Sequence, residues 1–412
     1  MQWLKEIPSH WEVRKMKYCF SERSEKNHPD EPILCATQSQ GVIPQSMYAN
    51  RVVVVNKGFE GLKLVKKGDF VISLRSFEGG IEYAYYQGII SAAYTILQPN
   101  KDSFSNYWKV LFKSHSFIQL LQTCVTGIRE GQNINYSMLC RAFLPLPPLA
   151  EQEKIVSYLE DKTSKIDAYV ADKEKEIELL QELKQKTIAD AVTKGLNPDA
   201  KMKDSGISWI GEIPEHWVQY RFATLFKEKS ICNHVNEELL SVYLDRGVIR
   251  FSEDNNKRTN PTSKDLSKYQ LVDIGDFVLN NQQAWRGSVG VSRYRGIISP
   301  AYFIFEMSSK LNPLYANYLL RSTSCVAYYY ICSKGIGSIQ RNLDWSSLKQ
   351  KKLAIPPLNE QQAIVAYIEE KCEKIDKLAS ELQSEIDYLK EYKQRLIADC
   401  VTGQVNVQNE MI

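Results

Sequence analysis

"LPLPPLAEQEKIVSYLE" at residues 144–160 and "LAIPPLNEQQAIVAYIE" at 353–369 are the same phrase written twice in one chain of 412 residues. In each, Pro-Pro-Leu cannot continue a helix backwards and sets a sharp start for the segment after it. That segment is long. From Glu151 to about Val192, apolar residues fall at Ile155, Leu159, Ile166, Val170, Ile177, Leu180, Leu183, Ile188 and Ala191. The second series is Ile364, Ile368, Ile375, Leu378, Leu382, Ile386, Leu389, Tyr392 and Leu396. Gaps of three, four and seven, with Lys and Glu between, predict a coiled-coil seam in both copies. At about 1.5 Å per residue each is a rod of about 60 Å. Asn359 is a candidate cap for the second rod, with Gln362 at the capping-box position; Ala150 cannot cap the first, whose start is expected to be less well fixed.

The repetition extends in both directions, and a repeat has to be found before a fold is assigned. "IPSHW" (7–11) aligns with "IPEHW" (213–217), "KKGDFVIS" (66–73) with "DIGDFVLN" (273–280), and "QGIISAAYTIL" (87–97) with "RGIISPAYFIF" (295–305). "IADAVTKG" (188–195) aligns with "IADCVTG" (397–403). One module has been duplicated in tandem. Its first part mixes short β-like runs ("RVVVV", "DFVIS", "GIISAAYTIL") with a helical stretch near 104–123. In the second copy that helix begins at "LNPLYANYLL", where Asn312 is the expected N-cap and Pro313 suits the first turn.

The expected fold class is therefore α+β. Two tandem α/β heads are each followed by a long helix, and the two helices form an antiparallel coiled coil with pseudo-two-fold symmetry, because each amphipathic stripe is most simply buried on the other. The boundaries are 1–149 and 196–358 for the heads, 150–195 and 359–403 for the spacer helices, and 404–412 for a C-terminal tail. "IPSHW" and "IPEHW" are expected to pin the start of each head to its scaffold rather than to bind a ligand.

Composition excludes several classes. Hydrophobic residues make up 43% and charged residues 25%, as in ordinary soluble proteins. No apolar run reaches the eighteen or so residues of a membrane span, so no membrane is expected as a partner, and the N-terminus lacks a signal-peptide layout. Nine scattered cysteines without C-x-x-C spacing point to reduced thiols in a cytoplasm, and the five dispersed histidines make a metal site unexpected. Net charge is only +3, but it is unevenly placed. Residues 150–195 hold 8 Lys/Arg against 11 Asp/Glu, and 359–403 hold 6 against 10, so the rods are acidic and the heads basic. Basic heads on an acidic spacer suit a long polyanion touched at two points.

The sharper signal is where the copies differ. "CATQSQG" (35–41) stands opposite "SVYLDRG" (241–247), and "LRSFEGGIEYAYY" (74–86) opposite "NQQAWRGSVGVSRYR" (281–295). These segments hold Gln38, Gln40, Arg75, Ser76 and Glu78 in one copy, and Arg246, Gln282, Gln283, Trp285 and Arg286 in the other. Arg to guanine, Gln to adenine and carboxylate to cytosine are the major-groove pairings that read duplex DNA, so these are the candidate base-reading residues. A second pair of loops, "TGIREGQNINYSML" (126–139) and "KGIGSIQRNLDWSSL" (334–348), offers Arg129, Gln132, Lys334, Gln340 and Arg341 for the phosphate backbone. Solvated loops of no function are the alternative at every one of these positions.

No Walker loop, paired-metal carboxylate motif or G-x-S-x-G elbow is present. "NPLY" (312–315) lacks the second proline of an amino-methyltransferase N-P-P-Y, and no glycine-rich cofactor motif precedes it. No catalytic residue and no metal ligand is therefore expected.

The tandem heads, each closed by "PLPPLAEQEKIV" or "IPPLNEQQAIV" and a helix ending "IADAVTKG" or "IADCVTG", resemble the specificity (S) subunit of type I restriction–modification systems over essentially the whole chain. The resemblance implies that the heads are target-recognition domains and that the chain itself is not catalytic. It implies two modification subunits as partners, which use S-adenosylmethionine to methylate adenine N6; where two restriction subunits are added, the complex cuts DNA with ATP and Mg²⁺, and a modification-only system is the alternative. Those cofactors belong to the partners, and none is expected in this chain. The target implied is double-stranded DNA carrying a bipartite, asymmetric site, one half-site per head, with the gap set by rod length. The competing expectation is a coiled-coil structural adaptor whose basic heads hold protein partners rather than a specific DNA site.

Overall fold

The computed structural model describes residues 3–4, 6–49, 58–100, 104–127, 132–207, 210–253, 265–335 and 341–408. The run "RVVVV" at 51–55 lies outside them. The chain divides into two compact units, Met1–Glu174 with Gln383–Ile412, and Lys175–Leu382. Each unit contains one head and half of each rod.

The two heads have one topology. In the first, a four-stranded antiparallel sheet runs Phe20–Arg23, Thr95–Pro99, Phe70–Ile72, Glu82–Tyr83 in spatial order. In the second, the same order is Phe226–Lys229, Tyr302–Met307, Phe277–Asn280, Val289–Val291. A hairpin stands beside each sheet, Leu34–Thr37 with Gly41–Pro44 and Leu240–Tyr243 with Gly247–Arg250. A small apolar core repeats residue for residue: Leu34, Val42, Val71, Ile90 and Ile96 in one head, Leu240, Val248, Val278, Ile298 and Ile304 in the other. Burial of each such side chain contributes about 2 kcal/mol.

The shared "GDF" phrase is scaffold. Gly68 and Gly275 sit at φ +96 and +92, a backbone region that favours glycine, and set the turn before the strand. The aspartates that follow are buried and paired. Arg23 forks onto Asp69 (2.8 and 3.2 Å), and Lys229 reaches Asp276 (2.7 Å). Each carboxylate also accepts a backbone N–H, from Lys66 (2.8 Å) and Asp273 (2.7 Å).

The helical stretch at 104–123 is two helices rather than one, Ser105–Lys113 and His115–Thr123. Ser114 breaks it: its Oγ accepts from Phe117 N (3.3 Å) and donates to Leu111 O (2.7 Å), capping one helix while closing the other. Ser322 does the same between Pro313–Arg321 and Thr323–Ile331. Asn312 is the N-cap expected, accepting from Leu314 N (2.9 Å) and Tyr315 N (3.1 Å) ahead of Pro313.

The rods are single helices, Leu149–Lys194 and Leu358–Val401. Asn359 lies inside the second rather than capping it, and both rods begin in the same way. The carbonyl of Pro148 accepts from Glu151 N and Gln152 N, and that of Pro357 from Glu360 N and Gln361 N. The start of the first rod is thus as well fixed as that of the second. Within the first unit, Lys393 bonds Asp167 (2.6 Å), Lys390 bonds Glu174 (3.1 Å) and Lys173 bonds Glu385. Within the second, Lys184 bonds Asp376 (2.6 Å). A Cβ on Gly195, just past the end of the first rod, would lie 3.0 Å from Glu360 Oε1 at the start of the second. In both units rising numbers on one helix meet falling numbers on the other, so the halves in each unit lie antiparallel. Ile155, Leu159, Ile166, Val170, Ile364, Ile368, Leu382, Ile386 and Leu396 are buried, whereas Leu183, Leu378 and Tyr392 of the expected seam are exposed. A pair of helices covers only a narrow stripe on each.

The glutamate and glutamine of the duplicated phrase are clamps. Gln152 accepts from Phe104 N (3.0 Å) and donates to Pro147 O (2.8 Å). Gln361 accepts from Asn312 N (2.7 Å) and donates to Lys310 O (2.8 Å) and Pro356 O (2.9 Å). The neighbouring acids hold the "IP-HW" phrases: Glu151 Oε2 lies 2.8 Å from His10 Nε2, Glu360 Oε2 lies 2.7 Å from His216 Nε2, and Trp217 donates to Glu360 Oε1 (3.0 Å).

The "IAD" ends of the rods are docked as well. Ala191 and Val192 are buried in the core around Tyr315, whose hydroxyl donates to Val192 O (3.2 Å). In the other unit Tyr107 donates to Val401 O (3.0 Å). Burial pushes both phenols well above their usual range. Tyr315→Phe is expected to lower the stability of the second unit by about 1 kcal/mol in chemical denaturation, since it removes one buried hydrogen bond and little else.

Candidate nucleic-acid interface

In the first head the exposed hairpin turn presents Gln38 and Gln40. Thr37 fixes its shape, accepting from Gln40 N (3.0 Å) and donating to Gly41 O (3.0 Å). Gly41 is at φ +73, and a Cβ there would stand 2.7 Å from Tyr83 O, so the turn lies close on the sheet. The segment after Phe70–Ile72 lies beside it, because a Cβ on Gly79 would meet the Gln38 side chain at 2.7 Å. That segment carries Arg75 and Glu78, both exposed and 3.4 Å apart. Ser76 is a correction. It is buried, its Oγ accepting from Ser73 N (2.8 Å), so it shapes the turn and is not open to a base.

In the second head the equivalent turn, 244–246, presents Arg246, whose guanidinium lies 4.7 Å from the Tyr243 ring centre. The segment after Phe277–Asn280 presents Gln282 and Arg286, with Gln283 and Trp285 half-buried. Trp285 donates to Gln282 O (3.0 Å), and Arg286 lies 4.7 Å from the centre of its ring. The indole therefore closes its own turn and orients Arg286 more than it offers itself to a ligand. This segment is anchored to the second pair of loops, since Leu343 N donates to Asn281 Oδ1 (2.9 Å). Arg341 lies over Tyr330 (4.3 Å), and Tyr330 lies 6.3 Å from Trp285. Trp285, Arg286 and Arg341 thus lie on one surface of this head, beside a cleft of about 640 Å³ that Arg286, Leu244 and Asp245 help to line.

Of the backbone candidates, Arg129 and Gln340 lie outside the described residues. Gln132 is exposed. Lys334 is exposed but bonded to Asp344 (2.8 Å), a contact that holds the carboxyl below its usual range and raises the lysine. Its charge is therefore partly compensated before any phosphate arrives.

Two residues without a signal of their own in the sequence hold the turns, one in each head. Lys113, the last residue of its helix, donates to Gln38 O (3.2 Å), Gly79 O (2.9 Å) and the buried Glu82 (2.5 Å). Burial pushes the Glu82 carboxyl up, and Lys113 opposes this. Arg321, aligned with it, donates to Leu244 O (2.9 Å) and Asp245 O (2.6 Å), and burial lowers its pKa. The nearest thing to a signal is a cation at the same register in both copies, which is also the common ending of any helix.

Among the described residues no group of three or more His, Cys, Asp or Glu is placed to hold a metal ion, and no helix is long and apolar enough to cross a membrane. Among the described residues, which include all nine cysteines, none is joined in a disulfide.

The chain belongs to the type I restriction modification DNA specificity family, whose domain model matches residues 7–179 and 224–388. Among its relatives, the type I restriction enzyme MjaVIII specificity subunit of Methanocaldococcus jannaschii is 27% identical, over 84% of this chain and 81% of its own. Two solved structures share the fold. The HsdS subunit from Thermoanaerobacter tengcongensis superposes with a TM-score of 0.54 at 14% identity, over 97% of this chain and 99% of its own. A chain from a structure described as the basis of complex assembly and conformational transition of the type I R-M system gives 0.67 at 14% identity, over 97% and 100%.

Proposed function

We propose that this chain is the sequence-recognition subunit of a type I restriction–modification system, with each head reading one half of a bipartite, asymmetric DNA site. The chain is not itself an enzyme and carries no cofactor: modification and restriction subunits supply the chemistry, S-adenosylmethionine, ATP and Mg²⁺. The proposal assigns residues 1–149 and 196–358 as target-recognition domains, two modification subunits per chain, and a gap between half-sites set by rod length.

One observation carries this reading. The scaffold is duplicated down to its buried ion pairs and glutamine clamps, while the paired turns at 38–40 and 244–246, and at 75–78 and 282–286, hold different polar side chains. Identical frames with unlike exposed donors and acceptors suit two different base sequences. Lys and Arg on the same heads provide the phosphate attraction that any such complex needs.

The test is methylation-sensitive sequencing of the host genome with and without this chain. The expected result is one adenine-methylated motif, made of two unlike halves around a fixed gap, that vanishes when the chain is deleted. A motif that persists without it, or one that is continuous and palindromic, would overturn the reading.

A further inference from the structure

We infer that Lys113 and Arg321 are positioning residues for sequence reading, each fixing the shape of its own head's recognition turn without contacting DNA. The inference deepens the proposed function and rests on the turns at 38–40 and 244–246 being base-reading elements.

The geometry is the same in both heads although the chemistry differs. Each cation ends the first helix after the sheet, Ser105–Lys113 or Pro313–Arg321, and reaches back to backbone carbonyls of the hairpin turn. Backbone carbonyls are what a positioning group should hold, because their place is independent of which side chain the turn presents. The reading residue can then vary while the turn stays still. A turn held in place loses less conformational freedom when it meets a base edge, and a misplaced donor forfeits its hydrogen bond altogether.

The two heads solve the charge problem differently. Lys113 has three donors, and three acceptors meet them: Gln38 O, Gly79 O and Glu82. It therefore ties both candidate reading segments of the first head to one ammonium, with a buried carboxylate for its charge. Arg321 places one amino group on both Leu244 O and Asp245 O, while its Nε is buried without a hydrogen-bond partner. The strand position of Glu82, which pairs with Val71, is held in the second head by Gly290, which pairs with Val278. A Cβ on Gly290 would come within 3.1 Å of Gly247 Cα. That head packs its turn directly against the strand and leaves no room for an acid. Arg321 thus uses one branch of its fork, which a lysine can replace.

The assay uses the full chain assembled with its modification subunits, on duplexes carrying the methylated motif and single-base changes in either half. Arg321→Ala is expected to cut discrimination at the second half-site about tenfold, the contribution of one good base contact, and to leave the first half-site unchanged. Lys113→Ala is expected to do the reverse. Arg321→Lys, borrowing the residue of the other copy, is expected to restore discrimination, which a purely structural loss would not predict. Melting curves of each variant separate misfolding from misreading, and Arg321→Met keeps the stem if alanine unfolds the head. Undiminished discrimination in a folded Arg321→Ala or Arg321→Met overturns the inference, as does equal loss at both half-sites. Arg246→Ala distinguishes the underlying reading: if it leaves second-half discrimination intact, the turn is not a reading element, and its reading and positioning roles fall together. If Arg246→Ala reduces discrimination but the Arg321 variants do not, only the positioning role fails.

Discussion

Gln361→Leu is expected to lower the stability of the second unit by about 3 kcal/mol, although leucine is close to glutamine in volume and the site is fully buried. The amide does three things at once. It accepts from Asn312 N (2.7 Å) and donates to Lys310 O and Pro356 O (2.8 and 2.9 Å). Lys310 is at the surface, so its carbonyl can recover water. Pro356 is buried, and its carbonyl cannot easily do so. Each polar group stranded in this way costs about 1–3 kcal/mol. The change should appear as a fall of about 8 °C in the calorimetric melting of the unit, at about 2–4 °C per kcal/mol for a unit of this size. Gln362→Leu, one residue on and exposed, is the control and should stay within about 0.5 kcal/mol. A Gln361→Leu melt matching that control would mean the clamp carries no stability. The consequence reaches function, because Asn312 caps the helix whose last residue is Arg321.

The duplicated frame was legible because it is written in residues with few other uses. Gly-Asp-Phe ahead of an apolar strand, Pro-Pro-Leu ahead of a heptad series, and Asn-Pro at a helix start each impose one local geometry. The break at Ser114 was not legible. "KSHSF" contains no glycine or proline, and a serine within an apolar-periodic stretch is as compatible with a continuing helix as with a cap. The Asn359 cap was misread for a related reason: asparagine three residues before a glutamine is a good capping box by type, but Pro357 already supplies the carbonyl that starts the rod. The docking of the "IAD" segments was also hidden, since Val192 and Val401 receive hydrogen bonds from tyrosines 123 and 294 residues away in sequence. At the candidate interface, composition found the exposed amides and guanidiniums. It could not separate Ser76, spent on a turn, from Arg75 beside it, nor see that Lys113 and Arg321 act through carbonyl groups.

Trp285→Ala combined with Arg286→Ala is expected to weaken discrimination at the second half-site about a hundredfold while leaving non-specific duplex affinity little changed. Trp285 spends its N–H on Gln282 O, so its remaining contribution is a rigid face on which the Arg286 guanidinium rests 4.7 Å from the centre. A cation held over an indole keeps its hydrogen-bond donors directed outward, and such contacts are worth about 0.5–1 kcal/mol at exposed sites. A bidentate fork onto guanine adds about 1–3 kcal/mol of discrimination, and the two together reach the hundredfold expected. Arg286→Ala alone should therefore remove most of the effect, and Trp285→Ala a smaller part, by loosening the guanidinium rather than deleting it. Salt dependence provides the separating measurement. A residue that reads bases leaves the slope of log affinity against log salt nearly unchanged, whereas loss of a phosphate contact lowers that slope by about one and weakens all sequences alike. If the double variant lowered affinity uniformly across duplexes and flattened the salt slope, Arg286 would belong to the backbone contacts, and the reading of the second half-site would pass to Arg246 and Gln282.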